Sequence, residues 1–513
     1  MKKSEKNQKT AQLNSEGVLF ISSTVLMMFF YGGFFENAII LCGTIAAITL
    51  IAKKKTISIS LTQVLFIIFS IWYFICSLQN GFVIEYAAKG LFPFVVLLYW
   101  IWSSSLGESK EKIKDIVIEI SVWIAAISTL HCIFISIDAG RILRAVFPFD
   151  YSNACGIYFA VCFFAAEQSN EKFLYRCKYI FVIALVLTQS VGAAGIFFPI
   201  LMFRFVSNKK YFTASLTFLF IVFFAFVFYN RITESVGTFL ERILHMHDGI
   251  MCVKENPIMG IGSGWWEHAK AYFQSGFYSA LTIHSSVVSI AVNSGILGIV
   301  FFLCVCYRQI KVALQNRESL LLSGMIVVHC IFDFTLSFLL LTTLLVLFLP
   351  HDTKEFYPKF RYKNIVLTTA IISFAFLGTC LLYVGAFCNN ANIGAERIQL
   401  LENYKNNPCI QYSIKANQCM GAILYEGEIK SDILLQKEYK YMPTEMILYR
   451  SLSQEGGYLL NNLQLQPYNI TLREYALSRQ HITKTQSRQV KDTAQEKASF
   501  WGRKLYYLKG ENQ

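Results

Sequence analysis

The sequence predicts an all-α, polytopic membrane protein, and three observations carry that prediction. Hydrophobic residues make up 55% of the 513 and charged residues only 15%, and mean hydropathy is +0.45. This balance excludes a disordered chain and differs from that of an ordinary soluble domain. Apolar runs close to the ~20 residues that carry a helix across a ~30 Å hydrocarbon core recur through the first 390 residues. Lys and Arg gather in short knots between those runs, which is a topology signal. The net charge of +13 is therefore spread along the chain, which excludes a nucleic-acid-binding face.

In chain order, residues 1–17 have the basic-then-apolar order of a signal peptide without a small-x-small cleavage site. They read as a cytoplasmic N-terminus before an uncleaved first span. Runs at 18–35, 37–52, 59–78, 86–103, 116–136, 151–167, 179–189, 191–205, 212–229, 283–306, 318–332, 334–350 and 365–387 give about 13 spans, within a range of 12–14. Two of these boundaries rest on polar breaks, Gln189-Ser190 in the first case and His329 with Asp333 in the second. Keeping both breaks puts 23 Lys/Arg on one side of the membrane, against four in 230–283. The positive-inside rule then makes the N-terminus cytoplasmic and the 230–283 loop and the tail extracytoplasmic. The organisation expected is a bundle at 18–229, a catalytic-type loop at 230–283, a second bundle part at 284–387 and a polar tail at 388–513. Within the tail, 391–404, 443–454, 470–480 and 486–507 have helical periodicity. Residues 460–478 read as helix, Pro turn and helix, like one degenerate TPR-type repeat unit.

Most of the fourteen cysteines lie in apolar runs and read as small hydrophobes. No CxxC pair occurs, so zinc-ribbon and thioredoxin chemistry is unsupported. Cys409 and Cys419 are a candidate pair if the tail faces an oxidising compartment.

The 230–283 loop concentrates the polar residues of interest. Val236, Phe239, Leu240, Ile243 and Leu244 follow the spacing of an amphipathic surface helix, with Arg242 off the apolar stripe. Pro257 ends it, and Gly260, Gly262 and Gly264 permit a tight turn. No strand precedes that turn, so a dinucleotide-binding reading is poor. Trp265 and Trp266 beside it read equally as sugar-stacking faces or as interfacial anchors. His245, His247 and Asp248 make a poor metal set, because helical residues two apart do not share a face, and no metal is expected. Asp333 and His329, four apart in an apolar run, are an intramembrane ionisable pair. Glu85 and Lys89 share that spacing and read as a structural ion pair.

The order Arg242, Lys254-Glu-Asn-Pro-Ile-Met-Gly-Ile-Gly-Ser-Gly264, His284-Ser285 and Gly295-Ile-Leu-Gly298 resembles the loop motif of the O-antigen ligase and polymerase superfamily of bacterial membrane glycosyltransferases. Arg141 to Ala154, ending Phe149-Asp-Tyr-Ser-Asn-Ala154, and His329-Cys-Ile-Phe-Asp333 also resemble family stretches, so the resemblance covers about residues 85 to 350. Two positions depart from the family pattern. Ser285 stands where Asn usually follows the loop histidine, and Thr188-Gln-Ser-Val191-Gly192 lacks the usual arginine.

The resemblance implies a GT-C-like enzyme of the bacterial inner membrane. It would move an oligosaccharide from a polyprenyl-diphosphate (undecaprenyl-type) donor to an acceptor hydroxyl on the extracytoplasmic face, without a cofactor. Glycan, lipid A core and protein acceptors all occur in the superfamily. Cell-surface polysaccharide or lipopolysaccharide biosynthesis is the implied setting, with membrane lipid as the surrounding partner. His284 is suited to general base. Arg242 is suited to the diphosphate leaving group, with Arg141 and Arg144 as further donor-binding cations. His329, Asp333 and the three loop glycines would support the site. No close Asp-x-Asp pair lies in the extracytoplasmic loops, so a metal-dependent nucleotide-sugar mechanism is unsupported. Two competing readings are a secondary transporter or flippase coupled through Asp333, His329 and Glu85, and a member that has lost catalysis, motivated by Val191.

Overall fold

The computed structural model describes residues 15–53, 58–227, 229–278, 280–350, 355–356, 363–393, 407–426, 440–453, 456–478 and 484–509. Most of the cytoplasmic segment expected at 1–17, and of the helix expected at 391–404, lies outside the described residues. The first helices are α1 (Ser15–Phe29), α2 (Glu36–Ala52), α3 (Leu61–Leu78), α4 (Ile84–Gly90), α5 (Phe92–Ser105), α6 (Ser109–Asp138), α7 (Ser152–Gln168) and α8 (Lys172–Thr188). Then come α9 (Val191–Ser207), α10 (Tyr211–Val227), α11 (Tyr229–Glu255), α12 (Trp266–Phe273), α13 (Ser286–Ala313), α14 (Arg317–Phe332), α15 (Leu339–Phe348) and α16 (Lys363–Ile393). The tail carries α17 (Pro408–Gln411), α18 (Ile414–Glu426), α19 (Thr444–Ser453), α20 (Gly456–Leu465), α21 (Ile470–Ser478), α22 (Lys484–Lys497) and α23 (Phe500–Lys509). Among the described residues the only strand pairing is a two-residue antiparallel bridge, Ile59–Ser60 against Glu355–Phe356. The chain is an all-α polytopic membrane protein.

Five helical stretches are long and apolar enough to cross a membrane by length and composition: Leu61–Leu78, Ile84–Ser105, Ser109–Asp138, Ser286–Ala313 and Asn364–Asn389. Shorter apolar helices occupy other expected runs, among them Ser15–Phe29, Glu36–Ala52, Val191–Ser207 and Leu339–Phe348. Both polar breaks end a helix. Gln189 takes a left-handed conformation (φ 51°) and Ser190 caps α9 by accepting from Ala193 N–H. Asp333 is extended (φ −154°, ψ 162°) after α14 ends at Phe332. This corrects the shared-face reading of His329 and Asp333, because Asp333 is not on the helix.

The chain divides into two compact units. The first comprises Met1–Ile67, Phe94–Ile232 and Leu303–Phe374. Its centre is α7, where every residue from Ser152 to Ala166 is buried, as expected of a helix that is apolar on all sides. It packs against α6, α8, α9 and α14. Gly156 permits the closest approach, because a Cβ there would sit 2.8 Å from Ala193 Cβ and from Ser190 Cβ. The basic knots at the helix ends make defined contacts. Lys53 Nζ is 2.8 Å from Glu16 Oε2 and 2.8 Å from the Ser105 carbonyl. Lys110 Nζ donates to the Leu349 carbonyl at 3.0 Å. Both carbonyls end helices, where a cation is favourable.

The second unit comprises Ile68–Pro93, Thr233–Phe302 and Ala375–Gln513. Its core mixes loop and tail. Ile261, Trp265, Cys252 and Val292 share one apolar cluster with Met446, Leu459, Leu463, Leu472 and Val490. The tail helices therefore bury their apolar faces against the loop region. The helix, turn and helix expected over 460–478 is present as α20 and α21. The Glu85 carboxylate is fully buried and accepts from Ser413 Oγ and from the Ile414 (3.2 Å) and Lys415 (3.3 Å) N–H groups at the start of α18. A carboxylate is favoured at a helix N-terminus.

Candidate active site

The glycine turn explains how the loop is held. Gly260, Gly262 and Gly264 all have positive φ (69°, 86°, 86°). A Cβ on Gly262 would lie 2.5 Å from the Cys76 carbonyl, and one on Gly264 would lie 2.3 Å from the Tyr86 ring. α13 opens at Gly295 (φ 66°, ψ −168°). In an unbroken helix Ile296 N–H would bond the Val292 carbonyl. Here Ile296 N–H donates to the Pro257 carbonyl at 2.8 Å, and the Val292 carbonyl accepts from Ile261 N–H at 2.7 Å. The Asn-Pro-x-x-Gly segment and the Asn-Ser-Gly segment thus complete each other's backbone bonds. Gln79 Nε2 and Asn80 Nδ2 fasten the turn from the end of α3, at 2.7 Å to the Gly260 carbonyl and 2.8 Å to the Ile261 carbonyl.

That anchoring sets the start of α13. A Cβ on Gly249 would lie 2.9 Å from Val288 Cγ1 and 3.2 Å from Ile283 Cδ1, so glycine lets the 283–288 backbone settle onto α11. Ser285 Oγ accepts from Val288 N–H at 3.4 Å, the N-cap position of α13. Serine and asparagine are both favoured N-caps, which gives a physical account of the departure at 285. We expect Ser285→Asn to keep thermal stability and activity close to wild type, and Ser285→Val to cost about 1 kcal/mol. Thermal unfolding of the purified protein with a parallel activity assay checks both.

Held this way, His284 Nδ1 lies 3.1 Å from His245 Nδ1. His245 is buried (1% exposed) and its ring meets Tyr278 edge-on at 4.2 Å. Arg242 is half-buried one turn earlier, at i−3 on the same helix, where residues are neighbours. His245 is the functional candidate that reading the sequence missed. The two histidines of the His245-x-His247 pair diverge, as their spacing requires. His247 Nδ1 lies 3.0 Å from Asp248 Oδ1, while His245 faces His284. Among the described residues no three His, Cys, Asp or Glu side chains gather as a metal site needs.

Asp248, three residues after His245 on α11, has no exposed surface and accepts from Ser275 Oγ and from Ser275 N–H at 3.1 Å. Burial raises its carboxyl above the usual range, against the pull of the Ser275 and His247 hydrogen bonds. The tail reaches the same place. Ser499 N–H donates to the Ser275 carbonyl at 2.9 Å, and a Cβ on Gly276 would lie 2.7 Å from Gly502 Cα. Trp501 packs on the Leu244–Tyr278 cluster. α23 therefore packs on Tyr278, whose ring meets His245.

Trp265 and Trp266 require a correction. Trp265 has no exposure and Trp266 only 6%, and the Trp265 ring lies edge-on to Tyr86 at 4.9 Å. Both indoles serve the core, because no sugar reaches a face already covered by side chains. His268, two residues on, is held neutral by burial, which lowers it from the usual 6.5 to about 4. Between those values the unfolded chain binds a proton that the folded chain does not. Its contribution is therefore fully present above pH 6.5 and is lost as the pH falls toward 4. The loss expected is roughly 3 kcal/mol. Thermal unfolding between pH 7 and 4 should show this acid loss in wild type and less of it in His268→Phe.

In the first unit the other motif stretches converge. Tyr151 OH donates to both oxygens of Asp333 at 3.0 Å, and Asn153 Nδ2 reaches Asp333 Oδ2 at 3.1 Å. Arg144 Nη2 donates to Asn153 Oδ1 at 3.1 Å and its Nε to the Thr188 carbonyl at 2.9 Å. His329 Nδ1 lies 2.6 Å from Thr335 Oγ1. Its Nε2 faces Gly192, 3.7 Å from where a Cβ would stand. Val191, at the first turn of α9, is 39% exposed, and Arg141 is exposed. Cys409 also departs from expectation. Its sulfur lies 3.5 Å from Cys380 Sγ, and Cys419 is paired by hydrogen bonding with Cys388.

No curated protein matches the chain. A family model described as O-antigen ligase (Wzy_C) matches residues 178–303. The matched segment runs from α8 into α13 and contains Arg242, His245, the glycine turn and His284. Over that segment the chain is similar to the O-antigen ligase family, which supports its resemblance to the O-antigen ligase and polymerase superfamily.

Proposed function

We propose that the protein transfers an oligosaccharide from a polyprenyl-diphosphate donor to an acceptor hydroxyl on the extracytoplasmic face of the bacterial inner membrane. The observation that supports this reading best is the His284–His245 contact with Arg242 one turn away. Two Nδ1 atoms at 3.1 Å share one proton. When His284 Nδ1–H donates to His245 Nδ1, His284 Nε2 carries the lone pair of a general base. His284 then removes the acceptor proton as the hydroxyl attacks the anomeric carbon, and His245 orients the ring and supports the imidazolium that forms. Arg242 meets the charge developing on the diphosphate as the glycosidic C–O bond breaks, with a guanidinium fork suited to phosphate oxygens. On this reading no metal is needed, since the Arg242 guanidinium would supply the positive charge that a divalent ion otherwise brings to the leaving group. In the first unit, Arg144, Asn153, Tyr151 and Asp333 hold the 141–154 segment and Arg141 meets an anionic phosphate group.

The test is the surface glycan of a deletion strain complemented with wild type, Arg242→Ala or His284→Ala, with membrane levels checked by immunoblot. Loss of polymerised or attached glycan, restored by wild type and by neither variant, supports the transferase. Single repeat units accumulating would identify a polymerase, long lipid-linked chains a ligase, and unglycosylated protein a protein glycosyltransferase. Unchanged glycan in the deletion would overturn the reading in favour of transport.

A further inference from the structure

Four cysteines of the second unit stand two by two. Cys380 and Cys388 lie eight residues apart on α16, about 12 Å along its axis. Cys409 and Cys419 lie in the tail segment that runs beside it. Cys409 Sγ is 3.5 Å from Cys380 Sγ, and the Cys419 and Cys388 thiols hydrogen-bond. The backbone around both pairs is fastened independently of the sulfurs. Asn407 Nδ2 donates to Tyr383 OH at 3.1 Å, and Asn407 Oδ1 accepts from Cys409 N–H at 2.9 Å. Ile84 N–H donates to the Tyr412 carbonyl at 2.9 Å, and Glu85 caps α18, which carries Cys419. A disulfide needs its sulfurs about 2 Å apart, so the Cys380–Cys409 pair must close by about 1.5 Å, within reach of side-chain rotation.

We propose that the mature protein carries two cystine bridges, Cys380–Cys409 and Cys388–Cys419, which lock the tail onto the last apolar helix. This rests on the tail facing the oxidising, extracytoplasmic side, where disulfides persist. The oxidant is a disulfide-bearing thiol oxidoreductase. Cys409 is half-buried while Cys380 is only 4% exposed, so the tail thiol of that pair is the one that meets the oxidant; Cys388 and Cys419 are both half-buried, and the same order of attack serves there. The tail thiolate attacks the oxidant's disulfide and forms a mixed disulfide, releasing one oxidant thiol. The α16 thiolate then displaces the second oxidant sulfur. Each bridge thus passes two electrons and two protons to the oxidant, which leaves as a dithiol. The adjacent-in-sequence pairing, Cys409 with Cys419, is disfavoured because each sulfur already faces a partner on α16.

The test is non-reducing peptide mapping of the full chain, alkylated in intact cells before extraction. An alkaline phosphatase fused after the C-terminus, active only on the oxidising side, reports the tail's location separately. Peptides joined 380–409 and 388–419 are the expected result. A 409–419 link, or four alkylated thiols in a chain whose phosphatase is active, overturns the proposal. An inactive phosphatase places the tail in the reducing compartment and overturns the native bridges together with the topology. Copper-phenanthroline oxidation of the detergent-purified protein then tests the pairing alone, and only the same two links uphold it.

Discussion

His284→Ala lowers glycan transfer by about 10²–10⁴-fold, the range for removal of a general base, while the protein still inserts and unfolds near the wild-type temperature. The side chain is part-exposed at the entrance to α13 and is not a core element, so its loss leaves packing intact. His245→Phe distinguishes the dyad from a lone base. It preserves a ring against Tyr278 but removes the nitrogen that orients His284, so turnover falls while donor binding is retained. His284→Gln retains an amide able to pair with His245 but not a base of useful basicity, and its turnover stays low. Single-turnover assays on membranes with equal protein content check the three variants. Wild-type turnover in His284→Ala would remove the base assignment.

Gly262→Ala destabilises the second unit by about 3 kcal/mol or more. The left-handed backbone disfavours an L-residue by about 1–2 kcal/mol, and overpacking adds about 1–3 kcal/mol. The atom in the way is the Cys76 carbonyl at 2.5 Å, which is backbone and cannot rotate aside. A fall of roughly 10 °C in the unfolding midpoint is expected for a unit of this size. Gly237→Ala on α11 is the control. A Cβ there meets nothing within 4 Å, and replacing a helical glycine gains up to about 1 kcal/mol. The pair is read by fluorescence-detected thermal unfolding in detergent. Equal midpoints for Gly262→Ala and wild type would show that the turn tolerates a side chain.

Much of the helical layout was legible because apolar length and polar breaks are local signals. Gln189-Ser190 and Asp333 end helices where polarity interrupts the runs. The glycine turn was legible from Pro257 and three glycines, but its exchange of backbone bonds with the Gly295 break was not. That exchange joins segments more than thirty residues apart. His245 was missed for the same reason, since its partner is 39 residues away across an irregular segment. Its position at i+3 from Arg242 was the available clue. Asp333 was misread because helical spacing was carried one residue past the end of α14. The two tryptophans were misread because an aromatic pair beside a turn has the same pattern whether it covers a core or a ligand. Cysteine pairing depends on which segment lies beside α16, and periodicity carries no such information.

The most direct test of the account is release of undecaprenyl diphosphate from a lipid-linked oligosaccharide by the purified protein in liposomes, in EDTA, with each acceptor class in turn. Turnover with one acceptor is expected for wild type, with a fall of about 10²–10³-fold in Arg242→Ala and the larger loss in His284→Ala. Undiminished release by both variants, or release by wild type only when a divalent cation is restored, would contradict this expectation.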